Sequence, residues 1–252
     1  MKAIILSAGQ GSRLLPLTAD RPKCLLPLDT LNVLEWQIRE LNRCGIDDFV
    51  VVVGFKADAV AAVLEGMKRP GIRLRTVFNP FFQLADNLAT CWMARHEMSE
   101  DFLLVNGDTI FEAAVAARVL AESTEPVTVT IDRRPSYDSD DMKVSLDGRR
   151  LLAIGKWLSA EQANGESIGM MLFRGRGPAL FTDELERMMR TPEGLETWYT
   201  SVIHTLAQAG HVGSVSIEGL EWGEIDFPAD LQRARSLVHG WTSAEKARSV
   251  AS

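Results

Sequence analysis

The strongest constraint on the fold is the regular alternation of short apolar segments with segments of helical periodicity. The apolar segments have the character of buried strands, and five of them lie at residues 2–6, 49–53, 72–78, 102–105 and 127–131. The segments between them carry apolar residues at three- and four-residue spacing, at residues 33–44, 57–67, 87–98 and 113–122. Continuous apolar strands that alternate with helices are typical of a sheet covered on both faces. We therefore predict an α/β fold, doubly wound around a mixed, mainly parallel sheet.

Beyond Pro126 the pattern changes to closely spaced strands. Two of them, at 143–146 and 151–154, flank the dipeptide Asp147-Gly148, which predicts a small antiparallel ribbon added to the sheet. Further strands are predicted at 167–173 and 212–217, and further helices at 178–189, at 196–209 and after Phe227-Pro228. Because no linker or repeat interrupts the sequence, we predict one domain over residues 1–240 and a polar, frayed tail over 241–252.

Charge and cysteine content exclude several classes of function. The chain has 27 lysine and arginine residues against 34 aspartate and glutamate residues, and this acidic balance argues against a nucleic acid partner. The three cysteines, Cys24, Cys44 and Cys91, have neither metal-ligand nor CxxC spacing, which is typical of a reducing compartment. The apolar run near the N-terminus is too short for a signal peptide or a membrane span. We expect a cytoplasmic protein that does not insert into a membrane.

One segment, at residues 6–28, gathers positive charge against this acidic background. It follows the first predicted strand, and its sequence is LSAGQGSRLLPLTADRPKCLLPL. Gly9 and Gly11 permit a close approach of the backbone to a ligand, while Arg13, Arg21 and Lys23 supply cations. Backbone N–H groups and cations together bind polyphosphates well. The segment therefore predicts a small anionic ligand.

Three other interpretations of this segment fit it less well. A dinucleotide-binding motif needs a third glycine and a helix start, but Leu14 takes the third position and Pro16 follows. A P-loop needs Gly-Lys-Ser/Thr, which the segment lacks. A plain strand-to-loop turn would account for the glycines but would leave Arg13, Pro22 and Lys23 unexplained.

The pattern L-x-A-G-x-G-x-R-L-x-P-L-T-x-x-x-P-K-x-L-L-P-L resembles the signature of the nucleotidyltransferases that activate sugar phosphates and small phosphorylated alcohols. The rest of the chain follows the order of elements in that family. The resemblance implies a Rossmann-like nucleotidyltransferase fold in which this loop wraps the triphosphate and lies against the nucleoside. It assigns nucleotide binding to Leu6, Ala8, Gly9 and Gly11, and it brings Lys23 to the phosphates.

Two aspartates are candidate metal ligands. Phosphoryl chemistry on a nucleoside triphosphate needs a divalent cation, and Mg²⁺ prefers carboxylate oxygens. Asp108 follows a predicted strand, and Asp226 precedes a helix that begins with proline. The resembled family places a metal aspartate at each point, within V-x-G-D and E-I-D-x-P-x-D-L, although a turn or a helix cap would also use aspartate. Glu224 and Asp230 are weaker candidates, since loop and helix-surface roles suit them as well.

A second pattern narrows the choice of nucleotide. The residues N-P-F-x…N-L-x-[ST]-x-W-x-A, which begin at Asn79, resemble the branch that includes phosphocholine cytidylyltransferases and related alkyl-phosphate or phosphonate cytidylyltransferases. This resemblance favours CTP, and it makes Gln83, Asn87 and Thr90 candidates for the base pocket. Members of that branch often have two adjacent asparagines where this chain has Asp86 and Asn87, and one of these two residues also suits a helix N-cap.

Candidates for the acceptor site lie later in the chain. Lys143 and Lys156 could be solvated edge charges, but the resemblance implies that at least one of them faces the acceptor phosphate, and we prefer Lys156. Glu166 begins an E-x-x-G element that resembles a substrate-facing strand of the family. Glu196 and Trp198 resemble an aromatic-plus-acid element that would suit a choline head group, although aromatic residues at a helix start more often pack in the core.

The reaction implied is an in-line attack of an acceptor oxygen on the α-phosphorus of the nucleotide, with release of pyrophosphate. A phosphate dianion needs no general base near neutral pH, because its second pKa is about 6. We therefore predict that Arg13, Lys23 and Lys156 act catalytically by stabilising charge, with Mg²⁺ as the cofactor.

Three hypotheses follow for the function. The first is a cytidylyltransferase that acts on a small phosphorylated alcohol or a phosphonate, such as phosphocholine. The second is a hexose- or heptose-1-phosphate nucleotidyltransferase that makes a nucleotide sugar. The third is a non-catalytic nucleotide-binding module, which would have little need for Lys23, Asp108 and Asp226 together. The chain is also compatible with a homodimer.

Overall fold

A computed structural model describes residues 1–250, with side chains to residue 247. Strands and helices alternate along this part of the chain. The strands are β1 (Lys2–Ser7), β2 (Asp48–Val53), β3 (Arg73–Phe78), β4 (Phe102–Asn106), β5 (Thr109–Phe111), β6 (Val127–Asp132), β7 (Lys143–Asp147), β8 (Arg150–Ile154), β9 (Gly165–Phe173), β10 (Val212–Ser216) and β11 (Trp222–Glu224). The α-helices are α1 (Val33–Arg43), α2 (Ala57–Gly66), α3 (Asn87–Met93), α4 (Ala113–Glu122), α5 (Gly177–Met189), α6 (Thr200–Gln208) and α7 (Pro228–Val250). Short 3-10 turns lie at Ser12–Leu14, Lys23–Leu25, Arg95–Glu97 and Pro192–Glu196.

Nine of these strands form one mixed sheet in the order β3-β2-β1-β4-β9-β6-β10-β8-β7. The neighbours β3, β2, β1 and β4 pair in parallel, and so do β6 and β10. The other five pairings in this sheet are antiparallel, because β9 runs against β4 and β6, and the β7–β8 hairpin follows. The prediction of a mixed α/β sheet is confirmed, and its parallel pairings lie in two groups, β3-β2-β1-β4 and β6-β10, which the antiparallel β9 separates. Strand β9 is buried along its whole length and ends in an apolar run at residues 170–173, a pattern that indicates burial and not direction.

Both faces of the sheet carry helices. Alternate residues of β1 enter different cores: Ile4 lies in the core with α3, α5 and α6, whereas Ala3 and Ile5 lie in the core with α1, α2 and α4. This division follows from the strand period of two residues. The predicted ribbon is confirmed as the β7–β8 hairpin, whose turn places Gly148 at φ 59°.

A third, smaller core joins distant parts of the chain beside the carboxyl ends of β1 and β4. It contains Leu14 and Leu26 from the segment after β1, Ile110 from β5, Ile225 after β11 and Leu231 from α7. Strands β5 and β11 form a two-stranded antiparallel ribbon of their own. At three residues each, these strands are too short to show a sequence pattern. This core fixes the cationic segment against the ribbon that precedes Asp226.

Helix α7 differs from the sequence prediction at the C-terminal end. Trp241 is buried, its ring stacks on Trp36 at 5.7 Å between centroids, and its Nε1 donates to Glu221 at 2.9 Å. The predicted frayed tail from Trp241 is therefore wrong as far as residue 250, because the indole anchors the helix; residues 251 and 252 of that tail lie outside the described residues. Across residues 1–250, no helix combines the length and apolar character that a membrane span requires.

Helix α6 also begins later than predicted. The sequence predicts a helix over 196–209, but the 3-10 turn Pro192–Glu196 ends before an extended residue, and α6 starts only at Thr200. Trp198 and Tyr199 consequently lie at the entry to the helix. This position matters below, because both side chains reach the same cavity.

Candidate active site

The cationic segment, the turn after β4 and the end of β11 meet at one edge of the sheet. Strands β1 and β4 are parallel neighbours, with Leu6 opposite Asn106, so the residues that follow them leave the sheet side by side. In open α/β sheets this carboxyl edge is where ligands bind. Asp108 follows β4, and Asp226 reaches the same place from β11, which pairs with β5.

The segment after β1 folds back on itself. Gly11 has φ 79°, and a Cβ atom there would lie 3.1 Å from Cβ of Lys23, so the backbone passes close over the lysine stem. The buried Thr18 donates its hydroxyl to the carbonyl of Gly11 at 2.8 Å, and Leu14 is fully buried. These contacts leave Arg13 exposed and direct the ammonium group of Lys23 toward the carboxyl edge.

Lys23 connects the two predicted metal aspartates. Its Nζ donates to Oδ2 of Asp108 at 2.8 Å and to Oδ1 of Asp226 at 2.6 Å. Burial opposes the positive charge, but the two carboxylates outweigh it and raise the pKa of Lys23 well above its ordinary value. Lys23 is therefore protonated at neutral pH and compensates part of the negative charge at this edge.

A third carboxylate joins the two aspartates. In the described part of the chain, Asp108, Glu224 and Asp226 form a group whose carboxylate oxygens lie within 4.8 Å of one another. Although Glu224 is exposed as a residue, its carboxyl group loses part of its hydration beside the two aspartates, and this loss, together with the negative charges of Asp108 and Asp226, raises its pKa to about 8. Glu224, a weaker metal candidate from the sequence alone, thus lies with the two aspartates. Since residues two apart in an extended segment face the same side, the E-x-D spacing was the signal that could have identified it.

The donor set of this acidic group fits a divalent cation. All its ligand atoms are carboxylate oxygens, the type that Mg²⁺ prefers. Oδ1 of Asp108 is buried and has no hydrogen-bond partner among the described residues, so it remains available for a ligand. A buried carboxylate oxygen without a partner is costly, and a bound cation would remove that cost.

A chain of charges extends from this group to the other side of the cleft. Nη1 of Arg13 donates to Asp226 at 3.1 Å and to Asp140 at 2.9 Å. Lys156 donates to the other carboxylate oxygen of Asp140 at 2.5 Å, and its Nζ lies 5.0 Å from the ring centroid of Trp198. The hydrogen bond from Lys156, aided by the charge of Arg13, lowers the pKa of Asp140. The carboxylate of Asp140 therefore bridges Arg13 and Lys156, the two cations that we expect from the sequence to contact phosphate groups.

Two cavities open on either side of the aspartates. The first, which we call the loop cavity, measures about 420 Å³ and is lined by Leu6, Gly9, Gly11, Lys23 and Asp86, among others. The second, the tryptophan cavity, measures about 210 Å³ and is lined by residues that include Asn87, Asp140, Lys156, Trp198 and Tyr199. Arg13, Asp108 and Asp226 line both cavities. Two ligands bound there would therefore meet at the charged centre.

The predicted nucleotide-binding residues divide between the cavities and the core. Ala8 is buried, and its carbonyl accepts a hydrogen bond from the amide of Phe55. Asn87 lines the tryptophan cavity, where its Oδ1 accepts from the amide of Tyr199 at 2.9 Å. Thr90 is buried and accepts from Asn79 at 3.1 Å, and Gln83 is exposed. The structure places neither of the last two in the loop or tryptophan cavity, so we do not assign them to the base pocket.

Among the predicted acceptor residues, Lys156 and Trp198 lie together in the tryptophan cavity, whereas Lys143, Glu166 and Glu196 are not among its described lining. Lys143 is buried and donates to the carbonyl of Asp138 at 3.0 Å, so it supports the loop at 133–142 and we do not assign it to the acceptor. Glu196 is exposed at the end of a 3-10 turn, outside both cavities as described. The family resemblance located these residues by their sequence neighbourhood, which does not determine side-chain direction.

Glu166 lies in an adjoining cavity of about 450 Å³, beyond Glu224 and Asp226. Its carboxylate is buried and lies 3.2 Å from Nη2 of Arg134. Burial dominates over the attraction of Arg134 and raises the pKa of Glu166 to about 7. The structure thus puts Glu166 next to the acidic group but outside the tryptophan cavity.

Two polar residues that line the tryptophan cavity, Asn106 and Tyr199, form a hydrogen bond that the sequence did not reveal. Tyr199 is almost fully buried, and its hydroxyl donates to Oδ1 of Asn106 at 3.0 Å. Gly169, with φ 73°, passes so close that a Cβ atom there would lie 2.4 Å from the amide nitrogen of Asn106. The side chain of Asn106 is therefore held from two sides.

Comparisons with known proteins agree with this architecture. A family model described as "MobA-like NTP transferase domain" matches residues 3–185, well over half of the chain. The chain is 31% identical to the CMP-5'-(3-aminopropyl)phosphonate synthase of Streptomyces rubellomurinus, in an alignment of 245 positions that covers 93% of this chain but only 38% of that protein. It is 25% identical to the CTP:phosphoglutamine cytidylyltransferase of Campylobacter jejuni, with 92% of this chain and 98% of that protein covered.

A solved structure shows the same fold. The inositol-1-phosphate CTP transferase from T. maritima superimposes with a TM-score of 0.77, at 23% identity, over 93% of this chain and 94% of that one. At this identity the likeness establishes the fold alone.

Proposed function

The chain belongs to the family of the MobA-like NTP transferase domain, and we propose that it is a cytidylyltransferase for a small acceptor that carries a phosphate or phosphonate group. The observation that carries this proposal is the position of Lys23, which joins Asp108 to Asp226 where the loop and tryptophan cavities meet. The names of the two relatives support CTP as the donor and a phosphorylated or phosphonate acceptor.

The loop cavity suits the nucleotide. Its lining includes Leu6, Gly9 and Gly11, together with the cations Arg13 and Lys23. Glycine backbone can approach phosphate closely, and the two cations can neutralise its charge. We therefore place the triphosphate along this wall, with its α-phosphorus toward Asp108 and Asp226.

Asp108 and Asp226, with Glu224 beside them, are the residues that would hold Mg²⁺. When bound, the metal would neutralise charge on the phosphate oxygens. Lys23 keeps the two aspartate side chains oriented toward each other, since it donates to one oxygen of each. It can also turn its ammonium group toward a phosphate when one arrives.

The tryptophan cavity suits the acceptor. Lys156 and Arg13 face each other across Asp140 and can bind the two sides of a phosphate or phosphonate group. An oxygen of that group attacks the α-phosphorus, the new O–P bond forms, and the bond to the departing pyrophosphate breaks. The electron pair of the broken bond leaves with pyrophosphate, and the dianionic acceptor has no proton to lose. Catalysis is then by positioning and charge stabilisation.

The ring of Trp198 suits a cationic group on the acceptor. It is 38% exposed and already has a cation, Lys156, at 5.0 Å from its centroid. A cation over an indole face is attracted by the ring quadrupole. We therefore propose amino-alkyl phosphates or phosphonates, such as 3-aminopropylphosphonate or phosphocholine, as the preferred acceptors.

Pyrophosphate release tests the proposal directly. CTP, UTP, ATP, GTP and dTTP are each paired with 3-aminopropylphosphonate, phosphocholine, inositol 1-phosphate and glucose 1-phosphate in the presence of Mg²⁺. We expect turnover with CTP and an amino-alkyl acceptor. Turnover only with glucose 1-phosphate would replace the proposal with a nucleotide-sugar synthase, and nucleotide binding without turnover on any pair would replace it with a nucleotide-binding module.

A further inference from the structure

The turn that carries Asp108 has little freedom. It links β4 to β5 through Gly107, whose amide donates to the carbonyl of Leu6 at 2.9 Å. A Cβ atom at Gly107 would lie 2.4 Å from that same carbonyl oxygen and from Oγ of Ser7, so the turn lies directly on β1. On the other side, the hydroxyl of Thr109 donates to the carbonyl of Ile168 at 3.0 Å.

The buried side chain of Gln37, on helix α1, also holds this turn. Gln37, on α1, is fully buried, and its Nε2 donates to the carbonyl of Asn106 and to that of Thr109, both at 2.7 Å. These two carbonyls flank the dipeptide Gly107-Asp108. The single amide group therefore ties together the peptide planes 106–107 and 109–110, which bracket the short segment that carries Asp108. The two acceptors also determine which end of the amide faces them.

The side-chain amide of Gln37 is only partly satisfied. Its Oε1 is buried and makes no hydrogen bond within the described residues. Its neighbours on α1 include the buried Leu34, Ile38 and Leu41, so an apolar residue would be the ordinary occupant of this face. A buried amide with an unsatisfied oxygen is unfavourable for the fold, which indicates that the two hydrogen bonds to the turn serve the site.

We propose that Gln37 is a positioning residue that sets the direction of the Asp108 carboxylate for metal binding. This inference rests on the proposed function, which makes Asp108 a metal ligand. Without the amide, two carbonyls in the interior lose their donor, and the turn relaxes by rotating one or both peptide planes. Because Asp108 lies between those two planes, their rotation shifts its backbone, and its carboxylate oxygens leave their position beside Asp226 and Lys23.

The test compares two substitutions on the same helix. Gln37→Met removes both hydrogen bonds at nearly constant volume, whereas Leu41→Ala weakens the packing of α1 without touching the turn. Binding of Mn²⁺ to the nucleotide-free protein is followed by the EPR signal of free Mn²⁺, and Mg²⁺ half-saturation is measured in turnover. Groups that orient metal ligands typically change metal affinity by about 10- to 100-fold when removed. We expect a loss in this range for Gln37→Met and less than about twofold for Leu41→Ala.

Two results would overturn the inference. One is Mn²⁺ affinity in Gln37→Met equal to that of the wild type, and the other is an equal loss in Leu41→Ala, which would trace the effect to stability. If Gln37→Met does not fold, Gln37→Glu carries the same test, because its carboxyl group has at most one donor. Mn²⁺ binding requires no turnover, so a protein whose Mn²⁺ affinity depends on Gln37 but that releases no pyrophosphate would sustain this inference while the proposed function fails.

Discussion

The ammonium group of Lys23 lies 2.6 Å from the carboxylate of Asp226, although 203 positions separate the two residues in the sequence. The contact joins the loop after the first strand to the last ribbon of the fold. It depends on a small core in which Leu14 and Leu26 of the loop pack with Ile225 and Leu231. Chemistry and packing are therefore coupled at this point, because the residues next to each charged group in sequence are buried together.

Lys23→Met should lower kcat by about 10²- to 10³-fold, the usual effect of removing one preorganised charge donor. Without the ammonium group, Asp108, Glu224 and Asp226 lose their buried cation and keep, among the described residues, only the exposed Arg13, on Asp226, so the metal-free variant should also melt at a lower temperature than the wild type. Added Mg²⁺ should recover more of the melting temperature in the variant than in the wild type. Steady-state turnover and thermal melting with and without Mg²⁺ measure both effects.

Lys68→Met is the matched control for this substitution, because Lys68 is exposed and pairs with Glu65 on the surface of the protein. It should leave kcat and the response to Mg²⁺ at the wild-type level. A Lys23→Met variant with nearly wild-type kcat would remove Lys23 from the catalytic group.

The sequence was sufficient to find the charged centre. Lys23, Asp108 and Asp226 each stand in a pattern of fixed neighbours, and the structure brings all three within hydrogen-bond distance. Asp140 had no such pattern. It lies in an exposed loop with Asp138 and Asp141, and nothing local distinguishes the aspartate that reaches Arg13 and Lys156. Its role depends on how the loop crosses the cleft, which is a property of the tertiary structure.

Three further differences between the sequence predictions and the structure also depend on tertiary contacts. Trp241 lies in a polar stretch of sequence, and contacts such as its stacking on Trp36 make it part of a core. Thr90 matches the pattern of a base-pocket residue, but it lies on the buried side of α3 and bonds to Asn79. The direction of β9 could not be predicted either, since burial along the whole strand does not distinguish parallel from antiparallel pairing.

Glu166→Gln should change how stability depends on pH. Burial raises the pKa of Glu166 from 4.5 to about 7, so the folded protein binds this proton more tightly than the unfolded chain. The stabilising contribution is complete below pH 4.5 and is lost as the pH rises through about 7. Relative to the wild type, Glu166→Gln should therefore gain stability between pH 4.5 and pH 8, by up to about 3 kcal/mol. Urea unfolding at several pH values measures the difference.

Glu196→Gln serves as the comparison for Glu166→Gln, because Glu196 is an exposed carboxylate. Its difference from the wild type should stay constant over the same pH range. If Glu166→Gln also showed a constant difference, the carboxyl group of Glu166 would not be the titrating group.

Trp198→Ala should discriminate between acceptors. Cation–π attraction contributes roughly 0.5–2 kcal/mol, so the KM for 3-aminopropylphosphonate should rise about 2- to 25-fold. The KM for propylphosphonate, which has no ammonium group, should change less. Trp157→Ala is the control, since Trp157 is 65% exposed and lies outside the described lining of the tryptophan cavity. Equal changes for both acceptors would assign Trp198 to general packing of the cavity.

Asp140→Asn should lower the KM for the acceptor. In the structure, the Asp140 carboxylate bridges Arg13 and Lys156, the two cations that we assign to the acceptor phosphate, so the phosphate must displace it. Exposed ion pairs contribute about 0.2–1 kcal/mol, which corresponds to a decrease in KM of up to about fivefold. Asp147→Asn makes the same charge change at the exposed β7–β8 turn and should leave KM unaltered. A rise in KM for Asp140→Asn would instead mean that this carboxylate binds the acceptor, through its cationic group.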